Sequence, residues 1–179
     1  MANLKEIRGR IKSIKSIQKV TSAMKMVAAA KLRTSQSNME QCRPYSNKIS
    51  ILVNDLLLES NKTNFDLMQE REVSKTLYIV ITSDRGMAGA FNTNILKKAQ
   101  SDIDANGKDQ AIIISIGKKS RDYFKSRNFD IISDYIDFWG ELNFNHAINI
   151  GQEIIDLFLS KKVDQVKVYY NEFKNLATQ

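Results

Sequence analysis

The most constraining feature of this sequence is the absence of glycine between Gly9 and Gly86. The only proline of the chain, Pro44, lies within the same stretch. Because glycine and proline are the residues that most often interrupt helices, the first 60 residues carry almost no signal for a helix end. We therefore predict one long helix over residues 1–60, bent or restarted at Pro44, and a linker over residues 61–74.

Apolar residues in the predicted helix follow the spacing of a coiled coil. Steps of three and four residues place them on one narrow stripe, here called the seam. Its first block is Leu4, Ile7, Ile11 and Ile14, and its last block is Met39, Cys42, Ser46, Ile49, Val53 and Leu56. Between the blocks it is predicted to continue through Ile17, Val20, Met24 and Val27. The three-residue steps there would locally overwind a coil.

The length of the helix predicts a partner for the seam. A helix of about 55 residues is roughly 80 Å long. A globule of about 105 residues, the rest of the chain, has a radius of gyration near 13 Å. Since so small a globule cannot cover so long a helix, we expect another helix to pack on the seam.

Basic residues are concentrated in the first segment of the chain. Residues 1–48 contain eleven basic and two acidic side chains, which gives this segment a net charge of +9. The net charge of the whole chain is +7, so the remaining residues carry −2. Five of them recur at steps of three and four residues beside the seam: Lys5, Arg8, Lys12, Lys15 and Lys19. We call this set the basic stripe. It indicates an acidic partner, although a solvated helix face is an equally good explanation.

The stretch from Met24 to Ala30 is apolar on nearly every side, with Lys25 as its one charged residue. A helix that is apolar all round is normally enclosed by several neighbours. The alternative is a run of alanines that simply favours helix.

From residue 75 onward the pattern changes to short apolar strands that alternate with helices. The predicted strands are Leu77–Thr82, Ala111–Ile116, Phe129–Ile132 and Gln165–Tyr170, and the predicted helices cover about 92–105, 118–127 and 142–159. Such alternation is typical of an α/β domain with a small, Rossmann-like open parallel sheet and flanking helices, here over residues 75–179. We interpret Asp130, Asp134 and Asp137 as a solvated loop.

A turn containing glycine follows the first strand and includes Asp84, Arg85, Gly86 and Gly89. Backbone amides at such a turn can bind phosphate, but the spacing matches neither G-x-G-x-x-G nor a P-loop. We therefore interpret it as a structural turn, with a nucleotide-using enzyme as a weaker alternative. One cysteine and one histidine leave no soft-ligand cluster for a metal, and no catalytic constellation is visible. We predict no enzymatic activity and no cofactor.

The cellular location is constrained by what the sequence lacks. No apolar run approaches the length that crosses a bilayer. The first residues go straight into charged periodic sequence without a secretory signal, which favours a cytosolic or organellar protein.

Three blocks of residues resemble the γ subunit of F-type ATP synthase. The most specific is IQKVTSAMKMVAAAKLR, residues 17–33, which is similar to the N-terminal signature of that family. Arg43-Pro44-Tyr45 and the turn from Thr82 through Gly86 to Asn92 resemble it in the same order and spacing. The turn has Ala88-Gly89-Ala90 where the family has a Cys-Gly-Gly-like stretch, so a left-handed Ala90 would cost about 1 kcal/mol or more. The resemblance covers essentially the whole chain.

The resemblance implies a non-catalytic rotor subunit of the central stalk. In that family the N-terminal helix pairs with a long C-terminal helix, which lies beyond the residues of this chain. The pair stands inside a ring of three α and three β subunits, and the α/β domain contacts the ε subunit and the c-ring. Rotation couples proton translocation to ATP synthesis or hydrolysis. The complex lies on the cytoplasmic face of a bacterial inner membrane or, alternatively, the matrix face of a mitochondrial one.

The resemblance also implies which residues contact the α3β3 ring and an acidic loop of its β subunit. They are Lys5, Arg8, Lys12, Lys15, Lys19, Thr21, Met24, Lys25, Val27, Lys31 and Arg33. Met24 and Lys25 would lie near the acidic loop, with Lys31 and Arg33 lower on the shaft. From the residues alone, the alternative is a basic coiled-coil protein that binds nucleic acid through the basic stripe. No interleaved aromatic residues or base-reading motif support it, so no nucleic acid is expected.

Overall fold

The structure, a computed structural model, describes residues 4–59 and 65–174. The chain divides into two compact units, residues 1–61 and residues 62–179. In the first unit, helix α1 comprises Leu4–Glu59, 56 residues in all. At 1.5 Å per residue α1 is about 84 Å long. The prediction of one long helix is confirmed, and the helix continues through Pro44 instead of restarting there.

The side chains of α1 are exposed along almost its whole length. Among residues 4–58, only Gln36, Met39 and Leu57 are half-buried. The Thr21 hydroxyl is satisfied within the helix, since it donates to the carbonyl of Ile17 at 2.9 Å. The apolar residues of the predicted seam, apart from the half-buried Met39, are therefore exposed on a regular helix, and their packing against a partner stays a prediction.

The second unit is a four-stranded parallel sheet with helices on both faces. The strands are β1 (Thr76–Ile81), β2 (Ala111–Ile116), β3 (Asp130–Tyr135) and β4 (Gln165–Tyr169), in the order β3-β2-β1-β4. The helices are α2 (Phe91–Asn106), α3 (Lys118–Lys125) and α4 (Phe144–Leu159), and two short 3-10 helices cover Asp66–Met68 and Lys108–Gln110. The predicted α/β class and parallel sheet are confirmed.

The core of this unit lies on the two faces of β1 and β2. Successive side chains of β1 point to opposite faces of the sheet. Tyr78 and Val80 therefore pack with α2, whereas Leu77 and Ile79 pack toward α4. Phe124 of α3 joins the first of these clusters. Because both faces of β1 and β2 are buried, the sequences of these two strands are continuous runs of apolar residues.

Strand β3 differs from its prediction because it lies at the edge of the sheet. The predicted strand Phe129–Ile132 starts one residue later and runs on to Tyr135, so Asp130 and Asp134 belong to a strand and not to a solvated loop. Their side chains are exposed, as is usual for the outward residues of an edge strand. The hydroxyl groups of Ser133 and Tyr135 donate to Glu153 of α4 and connect this edge to the helix.

A charged hydrogen-bond cluster connects α2 to the other edge strand, β4. The Asp102 carboxylate accepts from Lys167 Nζ at 2.8 Å and from the Tyr169 hydroxyl at 2.6 Å. The Tyr169 ring stacks on Tyr78, with 6.1 Å between ring centroids. The hydrogen bonds from Lys167 and Tyr169 lower the pKa of Asp102, while burial raises the pKa of Tyr169.

We expect Asp102→Asn to destabilise the second unit by about 1–2 kcal/mol at neutral pH. Because the pKa of Asp102 is lower in the folded than in the unfolded chain, its stabilisation is present above the unfolded pKa of about 4 and is lost as the pH falls through the lower folded value. Urea unfolding followed by the fluorescence of Trp139, the single tryptophan, measures this at pH 7 and pH 3. The difference between wild type and Asp102→Asn should shrink at pH 3. The exposed Asp109→Asn is the control, and an equal loss in both variants would contradict the assignment.

Candidate partner-binding helix and strand-end turn

All eleven predicted partner-binding residues lie on α1, and every one of their side chains is exposed. They are Lys5, Arg8, Lys12, Lys15, Lys19, Thr21, Met24, Lys25, Val27, Lys31 and Arg33. The structure brings them together on one regular helix, so their relative directions follow from helical geometry.

The basic stripe concentrates positive charge on one line of α1. From Lys5 to Lys19 the rise along the helix is about 21 Å. Of the two acidic residues among the first 48, Glu6 accepts from Arg10 at 2.9 Å, and Arg10 lies outside the stripe. The field beside the stripe is therefore strongly positive and favours an acidic partner surface.

The apolar stretch in the middle of α1 is presented to solvent. Met24 is 65% exposed and Val27 is 58% exposed, and Met26 is comparably open. Apolar side chains clustered on a surface in this way mark interaction sites in soluble proteins. The exposure of these side chains suits a partner that surrounds the helix between Met24 and Val27.

The strand-end turn is organised by the carboxylate of Asp84, which follows β1. One oxygen accepts from the backbone N–H of Lys118 at 2.8 Å, and the other accepts from the N–H of Asp137 at 3.0 Å. Asp84 thus ties together the segments that follow β1, β2 and β3. Because a side chain already occupies the first amide of α3, that helix N-terminus is not open to a phosphate group.

The rest of the turn is held by its own hydrogen bonds. Asn92, at the start of α2, donates to the Ser83 hydroxyl at 2.9 Å and accepts from the Ser83 N–H at 3.0 Å. The carbonyl of Arg85 accepts from Ser83 Oγ at 2.6 Å. The sequence analysis assigned no role to Asn92. An asparagine directly after a turn is nevertheless a signal for a local hydrogen-bond bridge, and this asparagine is buried.

Two residues in the turn adopt left-handed backbone conformations. They are Met87, with φ of 58°, and Gly89, with φ of 56°. Ala90 is right-handed, with φ of −84°, so the expected cost of a left-handed alanine does not arise. Met87 was not singled out from the sequence, yet its side chain is fully exposed at the tip of the turn.

Gly117, which directly follows β2, allows the ends of β1 and β2 to pack closely. Its φ is 100°, and a Cβ atom there would lie 2.2 Å from the carbonyl oxygen of Thr82. The Thr82 hydroxyl in turn accepts from the N–H of Ser120 at 2.8 Å. Only glycine allows the two strand ends to approach this closely.

Two kinds of feature are absent from residues 4–59 and 65–174. No helix there is long and apolar enough to span a membrane. In the same ranges, no group of three or more histidine, cysteine, aspartate and glutamate side chains is placed to hold a metal ion.

Comparison with known proteins decides the family. The sequence profile of the ATP synthase family matches residues 3–179. The chain belongs to the ATP synthase gamma-chain family. The ATP synthase gamma chain of Desulforamulus reducens is 41% identical over 180 residues, and that of Chloroherpeton thalassium is 45% identical over 184. This chain aligns over 100% and 99% of its own length but over only 62% and 60% of theirs. It therefore spans about three fifths of the length of these gamma chains.

Solved structures of ATP synthase contain chains with a similar fold. A chain of the central stalk and c-ring of Tetrahymena thermophila mitochondrial ATP synthase is 26% identical, with a TM-score of 0.67 over 87% of this chain and 66% of that one. A chain from Euglena gracilis mitochondrial ATP synthase matches with a TM-score of 0.57 over 96% of this chain and 53% of that one. At 19% identity, the second match supports the fold alone.

We expect Gly117→Ala to destabilise the second unit by about 2–4 kcal/mol, since the methyl group collides with the Thr82 carbonyl and φ is unfavourable for alanine. Thermal unfolding monitored by Trp139 fluorescence measures the loss. The matched control is Gly140→Ala, where an added Cβ meets no atom within 4 Å. Similar melting temperatures for the two variants would contradict the proposed close approach.

Proposed function

We propose that this chain forms part of the rotor in the central stalk of an F-type ATP synthase. Its rotation couples proton translocation through the membrane sector to ATP synthesis or hydrolysis in the α3β3 ring. The observation that carries the proposal is the unbroken helix Leu4–Glu59, exposed along its length, in a chain whose relatives are ATP synthase gamma chains. Such a helix has the length and the exposed apolar surface that a shaft within a ring requires.

Two surfaces of α1 suit this role. The exposed apolar stretch around Met24 and Val27 fits an enclosing ring of α and β subunits, which would remove it from water. Met24, Lys25 and the basic residues near them fit an acidic loop of the β subunit, with Lys31 and Arg33 lower on the shaft. Electrostatic complementarity of this kind selects the partner and its orientation more than it adds affinity.

The second unit fits a structural role in the same complex. The strand-end turn is filled by its own hydrogen bonds, with Asp84 on the first amide of α3, so the chain would bind no nucleotide and perform no chemistry itself. We assign it contacts with the ε subunit and the c-ring. The complex would be peripheral on the cytoplasmic face of a bacterial inner membrane, since the curated relatives above come from bacterial strains. The mitochondrial matrix face is the alternative.

Purification of ATP synthase from the source membranes tests the proposal. Mass spectrometry should find peptides of this chain in the purified complex, in a ratio near one copy per three β subunits. A parallel titration with duplex DNA tests the nucleic-acid alternative. Absence from the complex, together with DNA binding that weakens steeply with salt, would overturn the assignment.

We expect Met24→Lys to uncouple the enzyme, because it adds a positive charge where α1 approaches the acidic loop and the apolar ring. In membrane vesicles, ATP synthesis driven by a proton gradient should fall several-fold while ATP hydrolysis continues. The matched control is Ser37→Lys, which adds the same charge at an exposed position in the polar part of α1. Equal coupling in Met24→Lys and in the wild type would remove the assignment of Met24.

A further inference from the structure

A cavity of about 370 Å³ lies in the second unit, at the edge of the sheet opposite the strand-end turn. Three elements form it: the 3-10 helix Asp66–Met68, the last turns of α4 and the start of β4. Its lining includes five apolar side chains and one carboxylate, those of Leu67, Ile154, Ile155, Phe158, Val166 and Asp164. This volume and this mostly apolar lining are typical of sites for small molecules.

Arg71 lies against the wall of this cavity and has N–H groups that lack an acceptor. Its guanidinium lies over the Phe158 ring, with Cζ 4.1 Å from the ring centroid, and Nη2 donates to the Phe158 carbonyl at 2.9 Å. Nε and Nη1 are buried, and no described residue offers either of them an acceptor within hydrogen-bonding distance. Since an unsatisfied buried donor is costly, these two groups favour any ligand that supplies an acceptor.

Asp164 faces Arg71 but does not close the gap between them. Its Oδ2 accepts from the Ser74 N–H at 3.1 Å, the Ser74 hydroxyl at 2.9 Å and the Lys75 N–H at 3.0 Å. Its Oδ1 is 3.9 Å from Arg71 Nε, which is too long for a hydrogen bond. The hydrogen bonds from Lys75 and Ser74 lower the pKa of Asp164, so its carboxylate is charged at neutral pH.

A hydroxyl group matches the gap between Arg71 and Asp164. An oxygen atom about 2.9 Å from each partner can bridge Nε and Oδ1, which are 3.9 Å apart. A hydroxyl both accepts, here from Arg71, and donates, here to Asp164. A carboxylate in its place would be repelled by Asp164, and an ammonium group would be repelled by Arg71. The charged pair therefore selects a neutral polar group.

We propose that this cavity binds a small neutral molecule of the phenol class, an apolar ring that carries one hydroxyl group. The ring packs among the apolar side chains, and the hydroxyl bridges Arg71 and Asp164. Because Arg71 Nε and Nη1 are closed to water, the hydroxyl reaches them through the wall that Phe158 and Asp164 form, with a small movement of these side chains. The site uses none of the α1 residues proposed to contact other subunits.

Three probes of similar shape test the proposal on the full chain. p-Cresol carries the hydroxyl, toluene lacks it, and p-toluate has a carboxylate in its place. Nuclear magnetic resonance of isotope-labelled isoleucine, leucine and valine methyl groups should show shifts at Leu67, Ile154, Ile155 and Val166. We expect p-cresol to bind about five-fold more tightly than toluene, as one additional hydrogen-bonded group would give. p-Toluate should bind more weakly than toluene.

The advantage of p-cresol should depend on Arg71. Arg71→Met removes the unpaired N–H groups and keeps an apolar stem, so the ratio of the two dissociation constants should fall to within about two-fold while toluene binding is kept. Arg71→Lys, which retains the charge, should give the same loss and serves if the methionine variant does not fold. A purely structural role of Arg71 would weaken both probes equally.

Arg127→Met is the matched control. Arg127 also lies over an aromatic ring, with Cζ 3.7 Å from the Tyr123 centroid, and its Nη1 donates to the Tyr123 carbonyl at 3.1 Å. It does not line the cavity. This variant should therefore keep the wild-type ratio of p-cresol to toluene binding.

Four outcomes would overturn the proposal. They are equal binding of p-cresol and toluene, an equal loss of the ratio in Arg127→Met, methyl shifts that lie outside the cavity, and much tighter binding of N-acetyltyrosine amide than of p-cresol. The last would assign the site to a tyrosine side chain of a partner protein. The proposed function fails separately, through absence of the chain from the purified ATP synthase.

Discussion

The apolar side chains of α1 cannot be buried by α1 itself, and this constraint governs the first unit. A single helix in water is stabilised mainly by backbone cooperativity and weak pairs of neighbouring side chains. Leu4 is 71% exposed and Ile14 is 64% exposed. Complete burial of one such side chain contributes about 1.5–3 kcal/mol. The interactions that would stabilise α1 are therefore the same interactions through which it would act on other subunits.

The second unit is built on the opposite principle. Its central strands β1 and β2 are buried on both faces, and its edge strands are fastened by side-chain hydrogen bonds, Asp102 at β4 and Glu153 at β3. The Asp84 carboxylate uses backbone amides that would otherwise remain open at the strand ends. This unit thus covers both faces of its two central strands with its own helices.

The sequence predicted best where burial alone determines the pattern. Strands β1 and β2 were predictable because two buried faces give continuous apolar runs, and α1 was predictable because nothing interrupts it. Strand β3 was predicted too short, since its outward aspartates resemble a loop. The Asp84 turn could be recognised locally, but its partners Lys118 and Asp137 are 34 and 53 residues away. Their meeting depends on the order of strands, which local spacing does not encode.

The helical spacing of α1 places its seam and its basic stripe on different sides of one shaft. In the proposed function, a helix on the seam and an acidic surface on the basic stripe would approach α1 from different directions and would not compete. Along seven heptads, the seam of a straight α-helix turns by about 140°. The basic stripe turns with it, so a straight α1 presents its seam and its basic stripe in different directions at different levels. In the proposed rotor, that variation would make the shaft asymmetric around its axis, as action on three otherwise identical sites in turn would require.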